Sequence, residues 1–450
     1  MRMLRKESQD HGLLGKSLLI NEKETIKIQA PEPVKYIAGR LRSAGYEAYI
    51  VGGCVRDCLL GRTPKDWDIT TSALPVEVKS LFSNTADTGL SHGTVTVIVS
   101  KKGYEVTTYR IDGEYKDGRH PEKVTFTPSL EEDLKRRDFT INAFAYSEER
   151  GVIDLFNGLE DLKNRKIRAV GDPGKRFSED ALRIMRAVRF SAQLSFDIEE
   201  STRAAIGGFA ENLARISRER KRVEFEKTLF SDNPQLVDLY AELGLSGYII
   251  PDAADEGTHP EESGKKYLRT FEKCFDPESE RLYKYNKDGL MRGLSEDAQR
   301  ASRAFMLAAF FKNLSCAECR SVMRQMTFDN KTRDLTALSL EYMRTDIPNE
   351  RAAIKKIMKK SGPDALLIAL NLQNAQKVSN ARDNIALLED ILNSGEPYKI
   401  PMLAVSGSDL IEAGAYPGAA LGAELERLLD IVIQAPELNK KDVLLKLADK

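Results

Sequence analysis

Hydrophobic and polar positions divide this chain into two regimes. From about Tyr46 to Tyr146 apolar residues come in short β-rich runs separated by turn residues, whereas most of the chain beyond Tyr146 repeats with helical period. The first regime predicts a mix of strands and helices, the second a mostly helical assembly. Strands are predicted over Glu47 to Val51, Trp67 to Thr71, Thr94 to Ser100 and Tyr104 to Arg110, with Lys101-Lys102-Gly103 as the tight hairpin between the last two. The run from Asp112 to Pro121 is polar and rich in turn residues, which predicts a mobile loop. Helical spacing is plain from Arg176 to Leu194 and from Ser217 to Phe230, and it continues with breaks near Pro251 to Ser263 and Pro397 to Pro401. With no fixed-period repeat and no low-complexity tract, the second regime reads as stacked irregular helical modules.

A chain of 450 residues has room for roughly two to four domains, each with its own core. Its 68 Lys and Arg against 69 Asp and Glu leave a formal charge of -1, so no global positive field draws in nucleic acid. Any RNA or DNA partner has to be met by local basic faces. No apolar run approaches the roughly 18 residues that a membrane span requires. The basic start, Met1 to Lys6, leads into an apolar stretch broken by Lys16 and followed by Asn21-Glu22-Lys23-Glu24, unlike a signal peptide, so a cytoplasmic protein is expected. Cys54, Cys58, Cys274, Cys316 and Cys319 form no even framework, in keeping with a reducing compartment. The CxxC spacing of Cys316 and Cys319 has no second pair, and His11, His92, His120 and His259 are too scattered for a zinc centre or a His-Asp phosphohydrolase cluster.

Chemistry concentrates in the first regime. Tyr49-Ile50-Val51-Gly52-Gly53-Cys54-Val55-Arg56-Asp57 runs an apolar strand into a Gly-Gly turn and a helix. Glycines let the backbone approach an oxyanion, a helix N-terminus presents N–H groups and Arg56 offers a guanidinium fork, so the segment suits a phosphate; an ordinary tight turn looks the same. Asp66-Trp67-Asp68 opens the next strand, and period-two alternation puts both carboxylates on one face. Two acids held together repel unless a cation lies between them. A hard divalent ion such as Mg²⁺, shared with substrate phosphates, is one explanation, and a solvated acidic turn is the other. Glu105, in the alternating strand Tyr104 to Arg110, would join the same face, and three carboxylates beside a phosphate seat outline two-metal nucleotidyl transfer.

Arg136-Arg137-Asp138-Phe139-Thr140-Ile141-Asn142-Ala143 adds two guanidinium groups, an acid and an amide, suited to a nucleotide's phosphate and sugar or to a charged helix cap. Further on, Asp180 and Arg183 are i and i+3 neighbours on one predicted helical face. An acceptor beside a donor matches cytosine, with its N4 amino group beside N3, and adenine, with N6 beside N1. Guanine and uracil present the reverse order and would leave polar groups unpaired. A plain i,i+3 salt bridge is the alternative. Arg186 and Arg189 extend the stripe, but each i+3 step turns about 60° back round the helix, which suits phosphate better than base.

In this order and spacing, Gly52-Gly53 with Arg56-Asp57, Asp66-Trp67-Asp68, Glu105, Arg136 to Ala143, Glu179 to Arg183, and Glu219-Arg220 with Glu224 resemble the class II tRNA nucleotidyltransferases, the bacterial CCA-adding enzymes. The likeness is strongest from about Ala48 to Lys227 and returns in Leu403 to Leu410 with Pro417-Gly418 and Gly422; from about Ser231 to Ile400 it is only that of a helical region. It implies an α+β fold: an N-terminal nucleotidyltransferase head with a mixed sheet and helices, followed by an all-α neck, body and tail. The implied division is an N-terminal extension over 1–30, a catalytic head over 31–150, a base-selecting neck over 151–228, a helical body over 229–330 and a tRNA-binding tail over 331–450. By the same resemblance Asp66, Asp68 and Glu105 are catalytic, and Asp66 and Asp68 bind Mg²⁺. Gly53, Arg56, Arg137, Asp180, Arg183, Arg186 and Arg189 bind the nucleotide, with Asp180 and Arg183 as a protein template for C and A. Glu219, Arg220 and Glu224 would brace the neck helices, and Asp112 to Val124 resembles a flexible loop associated with the switch from C to A addition. The implied activity is template-independent addition of C, C and A from CTP and ATP to the tRNA 3′ end, with tRNA, ATP and CTP as partners. A-adding enzymes and poly(A) polymerases share the head motifs and stay open, as does, outside the class, a catalytically idle tRNA-binding protein.

Overall fold

The computed structural model describes residues 27–113, 124–251, 296–414 and 418–448. Outside them lie residues 1–26 of the expected extension, most of the predicted loop from Asp112 to Val124, the break at 252–263, and Pro417, His11, His120, His259 and Cys274. The chain divides into two compact units, with the boundary between Ile216 and Ser217.

The first unit opens with α1 (Glu32–Ser43), which buries Val34, Ile37, Ala38 and Leu41 at i, i+3, i+4 and i+7. β1 (Ala48–Val51) is buried throughout, as its unbroken apolar run requires. Next come α2 (Gly53–Leu59), β2 (Asp68–Thr71), α3 (Pro75–Leu81), β3 (Thr85–Gly89), β4 (Thr94–Val99) and β5 (Lys102–Thr108). β6 (Arg110–Asp112) and β7 (Val124–Phe126) form a separate two-stranded ribbon. After α4 (Leu130–Lys135), β8 (Phe144–Ser147) and β9 (Gly151–Asp154) complete a seven-stranded sheet of order β3-β4-β5-β2-β1-β8-β9. β2 and β5 are parallel and the other neighbours antiparallel, so the sheet is mixed, as the resemblance implied. Tyr49, Val51, Tyr109, Leu134 and Ala145 make the core between the sheet and α4.

The β4–β5 hairpin turns on Ser100 and Lys101 rather than on Lys101 to Gly103, with φ of 52° and 65°, while Lys102 and Gly103 already pair with Val99 and Ile98. Two successive positive φ values belong to a type I′ turn, whose twist matches that of the flanking strands. Gly103 is thus a strand residue, and a Cβ on it would stand 2.8 Å from Thr96 Cγ2.

Beyond α5 (Gly158–Lys163) and β10 (Lys166–Ile167), the helix predicted from Arg176 to Leu194 is two helices, α6 (Pro173–Glu179) and α7 (Leu182–Leu194). Asp180 breaks them apart at φ -141° and ψ 103°, and its Oδ1 accepts from Leu182 N at 3.0 Å. A short acid that bonds the backbone two residues on offers the chain an alternative to continuing the helix. Asp180 and Arg183 therefore do not share the face of one helix as predicted; they are joined across the break by Arg183 N donating to Asp180 O at 3.0 Å. β11 (Asp197–Ile198) runs parallel to β10 and leads into α8 (Glu200–Phe209).

The second unit opens with α9 (Arg218–Leu229), which Ser217 caps. Among its described residues it holds helices and no strand. One core gathers Ile354, Met358, Leu366, Leu370, Leu388 and Ile391, and a second gathers Leu410, Leu428, Val432 and Leu444. The break predicted near Pro397 to Pro401 falls between them. No helix among the described residues is long and apolar enough to cross a membrane.

Candidate active site

At the end of β1 the chain turns through Gly52 at φ 83° and ψ -137°, a conformation that needs glycine. A Cβ here would also lie 2.7 Å from Arg137 Nη1, so the position is fixed twice over, by backbone and by the approach of that guanidinium. α2 then buries Cys54, Val55, Arg56 and Leu59. Arg56 folds back toward Gly53 and donates from Nε and Nη2 to Asp57 Oδ1 (2.9 and 2.7 Å) and from Nη1 to Asn142 Oδ1 (2.5 Å).

Asp68 and Glu105 are direct partners on the parallel neighbours β2 and β5, and such partners project to the same side of a sheet. Asp66 and Asp68 are exposed while Trp67 between them is buried, although β2 begins only at Asp68, so Asp66 precedes the strand rather than belonging to it. Asp66 acts on Asp68, and both act on Glu105. Although Asp68 reaches solvent, partial desolvation is the largest cause that raises its carboxyl; Arg137 pulls it back down and Asp66 pushes it up. Glu105 is raised by desolvation and then by Asp68 and Asp66. Among the described residues no three or more His, Cys, Asp or Glu close on one point as a complete metal cage. Mg²⁺ does not require one, because it takes one or two carboxylates and completes its shell from phosphates and water. Hard oxygen donors whose mutual repulsion a cation would relieve are of a kind that suits that ion.

Arg137 stands between this acidic face and the glycine turn. Its Nη1 lies against Gly52, Asp68 acts on its charge, and its Nη2 is 3.8 Å from Asp133 Oδ2. Its buried Nε has no hydrogen-bond partner among the described residues, a donor in want of an acceptor. Arg136 is committed to structure, donating from Nε and Nη2 to Asp133 Oδ1 at 3.1 and 2.8 Å.

The remaining predicted residues lie on the Asp180–α7 side. Arg183 is buried, and donates to Glu179 Oε2 (2.7 Å), Arg176 O (3.2 Å) and Arg136 O (2.8 Å). Its ion pair is thus with Glu179, not the i,i+3 pair with Asp180. Arg186 binds Asp138 Oδ2 through Nε at 2.7 Å and Nη2 at 2.5 Å. Asp138 also accepts from Asn142 Nδ2 at 3.0 Å, which completes a chain Asp57, Arg56, Asn142, Asp138, Arg186 from α2 to α7. Arg189 is buried with its Cζ 4.1 Å from the centre of the Phe190 ring. Glu219, Arg220 and Glu224 sit on α9 in the second unit, where Glu224 is buried. The linking roles of Asn142, Asp133, Glu179 and Phe190 were missed from sequence; the spacings that could have found the first three are Asp133 three residues before Arg136, Glu179 four before Arg183 and Asn142 four after Asp138.

Residues 48–168 match the family described as the Poly A polymerase head domain, and 195–256 match the probable RNA and SrmB-binding site of polymerase A. A CCA-adding enzyme of Limosilactobacillus fermentum is 38% identical over 93% of this chain and 96% of its own length. The chain belongs to the CCA-adding enzymes, a family of nucleotidyltransferases. Another family member, from Leuconostoc mesenteroides, is 61% identical over 193 residues, 43% of this chain and 48% of that protein. The Bacillus stearothermophilus CCA-adding enzyme, solved in complex with CTP, superposes with a TM-score of 0.72 at 32% identity, covering 93% of this chain and 97% of that one.

Proposed function

We propose that this chain adds C, C and A to the 3′ end of tRNA in the cytoplasm, using CTP and ATP as donors and no nucleic-acid template. The observation that carries the reading is the pairing of Asp68 with Glu105, with Asp66 acting on both, beside Arg137 and the Gly52 turn; the names of its full-length relatives supply the acceptor and the product. The tRNA 3′ hydroxyl gives up its proton to solvent as its oxygen forms a bond to the α-phosphorus of the nucleotide, the bond from that phosphorus to the pyrophosphate oxygen breaks, and pyrophosphate leaves. Asp66, Asp68 and Glu105 are the catalytic carboxylates, and Asp66 and Asp68 hold Mg²⁺. Bound there, the ion supplies Lewis acidity toward the hydroxyl and the triphosphate. Gly53 and Arg56 seat the triphosphate at the turn, Arg137 bridges it to the acidic face, and Arg186 and Arg189 extend the cationic wall. Asp180 and Arg183, joined across the α6–α7 break, present acceptor and donor to C or A. In domain terms, 31–150 is the catalytic head, 151–228 the base-selecting neck, 229–330 the body and 331–450 the tRNA-binding tail, with 1–30 an extension and Glu219, Arg220 and Glu224 bracing the neck.

The test is incubation with Mg²⁺ and a tRNA transcript lacking its terminal CCA, supplied with CTP, ATP, both, or GTP and UTP, and then sequencing of the 3′ ends. Two added residues with CTP, and a halt at CCA with both, are expected. A-only addition, a long A tail or no growth would overturn the reading in favour of an A-adding enzyme, a poly(A) polymerase or an idle binder.

A further inference from the structure

Phe190 has no reactive atom, yet three guanidinium groups crowd its ring. The Cζ atoms of Arg189, Arg56 and Arg186 lie 4.1, 5.2 and 5.3 Å from the ring centre, inside the roughly 6 Å over which an aromatic quadrupole attracts a cation. Two of these arginines belong to α7 and one to α2, so a single side chain gathers charge from two elements. Phe139 packs against the ring edge to face, at 5.8 Å and 83°, which sets its plane, and the ring itself is 6% exposed. Three like charges this close repel, and burial weakens the screening that would soften the repulsion. Asp57 offsets Arg56 and Asp138 offsets Arg186. A further carboxylate in place of the ring would hold the cations as well, but it would cancel their charge and compete with an incoming triphosphate. A π face attracts cations without neutralising them.

We propose that Phe190 is a positioning residue for nucleotide binding: its ring holds Arg56, Arg186 and Arg189 as one array that receives the triphosphate of the incoming nucleotide. The proposal rests on the reading of this site as a centre of nucleotidyl transfer. The ring acts through the arginines, so its electrostatics, and not only its volume, must matter.

The experiment replaces Phe190 in the full-length chain with 4-fluoro-, 3,5-difluoro- and pentafluorophenylalanine, which nearly keep the shape while weakening and then reversing the quadrupole. Transfer to a tRNA lacking CCA is measured at varied CTP and ATP, with equilibrium binding of CTP by calorimetry and the urea midpoint alongside. KM for both nucleotides is expected to rise with each step to about tenfold, the scale of desolvated cation–π contacts, with kcat and midpoint unchanged. The dissociation constant for CTP should rise in parallel, and Phe190→Tyr should stay near wild type. Flat KM and CTP affinity across the series, or a loss confined to kcat or to the urea midpoint, would overturn the proposal. If the wild-type chain transfers neither C nor A, the reading of the site fails instead, and the calorimetric series still decides whether the ring tunes triphosphate binding.

Discussion

Asp68 and Glu105 are partners across β2 and β5, and that arrangement costs repulsion. Desolvation and the neighbouring acids raise both carboxyls, so neutralising one should relieve the fold while disabling the chemistry. Asp68→Asn is expected to leave the urea midpoint unchanged or higher and to lower single-turnover transfer by about a thousandfold or more, as loss of several kcal/mol of transition-state charge stabilisation implies. tRNA retention on filters should not change; retained turnover would sink the metal assignment. Arg183 carries a different expectation, because its guanidinium is held by Glu179 and two carbonyl oxygens and is therefore pre-aimed. Arg183→Ala should narrow the preference for CTP over UTP by at least about tenfold, since an unpaired polar group costs on the order of 1–3 kcal/mol. Unchanged selectivity would remove it as a template. The strands that carry Asp68 and Glu105 were legible because period-two alternation is a local property. The partner of Arg183 was not, since the i,i+3 rule assumes an unbroken helix and Asp180 ends one.

Strands were legible where apolar and polar positions alternate: β1, β2, β4 and β5 fall within a few residues of their predicted bounds. β3, with the sequence Thr-Ala-Asp-Thr-Gly, offers no such pattern and is a strand because β4 pairs with it. In the β4–β5 turn, glycine suggested the corner, yet Ser100 and Lys101 take the positive φ values. Replacing those two with Asn-Gly, which tolerates the left-handed region, should therefore stabilise the first unit by about 1 kcal/mol, read as a higher urea midpoint with transfer unaltered; a lower midpoint would contradict the I′ geometry. In the second unit, Glu396 joins Arg351 and the fully buried Lys355, with Nζ to Oε2 at 2.9 Å. Glu396→Gln leaves that lysine without its anion and should cost about 3–5 kcal/mol, whereas Lys355→Met, which removes the buried charge, should cost far less. Burial opposes the Glu396 charge, but the Arg351 and Lys355 hydrogen bonds outweigh it and lower its pKa from 4.5 to about 2. A depressed carboxyl contributes stability fully above its ordinary value and loses it as pH falls through the folded one. The second unit should thus weaken between about pH 4.5 and 2, and the Glu396→Gln variant should lose less over that interval in acid unfolding monitored by circular dichroism.

Across the whole molecule, a formal charge of -1 leaves little room for long-range attraction to a polyanion. Many cations are also already spent within the fold: on the helix Arg351–Ser361, Lys355 pairs with Glu396, and Lys359 with Glu426 and Asp430. A protein that met RNA through a broad positive field would bind any strand of equal length and lose affinity steeply with salt, by about 0.9 in the log–log slope per phosphate neutralised. Recognition by shape, through a limited set of local contacts, predicts the opposite on both counts. Binding of tRNA lacking CCA, measured by filter retention between about 50 and 300 mM salt, should show a slope no steeper than about -4, some four or five phosphates. An unstructured RNA of the same length should compete poorly at every salt concentration. Equal competition together with a slope near -10 would mean that a concealed basic surface, and not tRNA shape, binds the RNA.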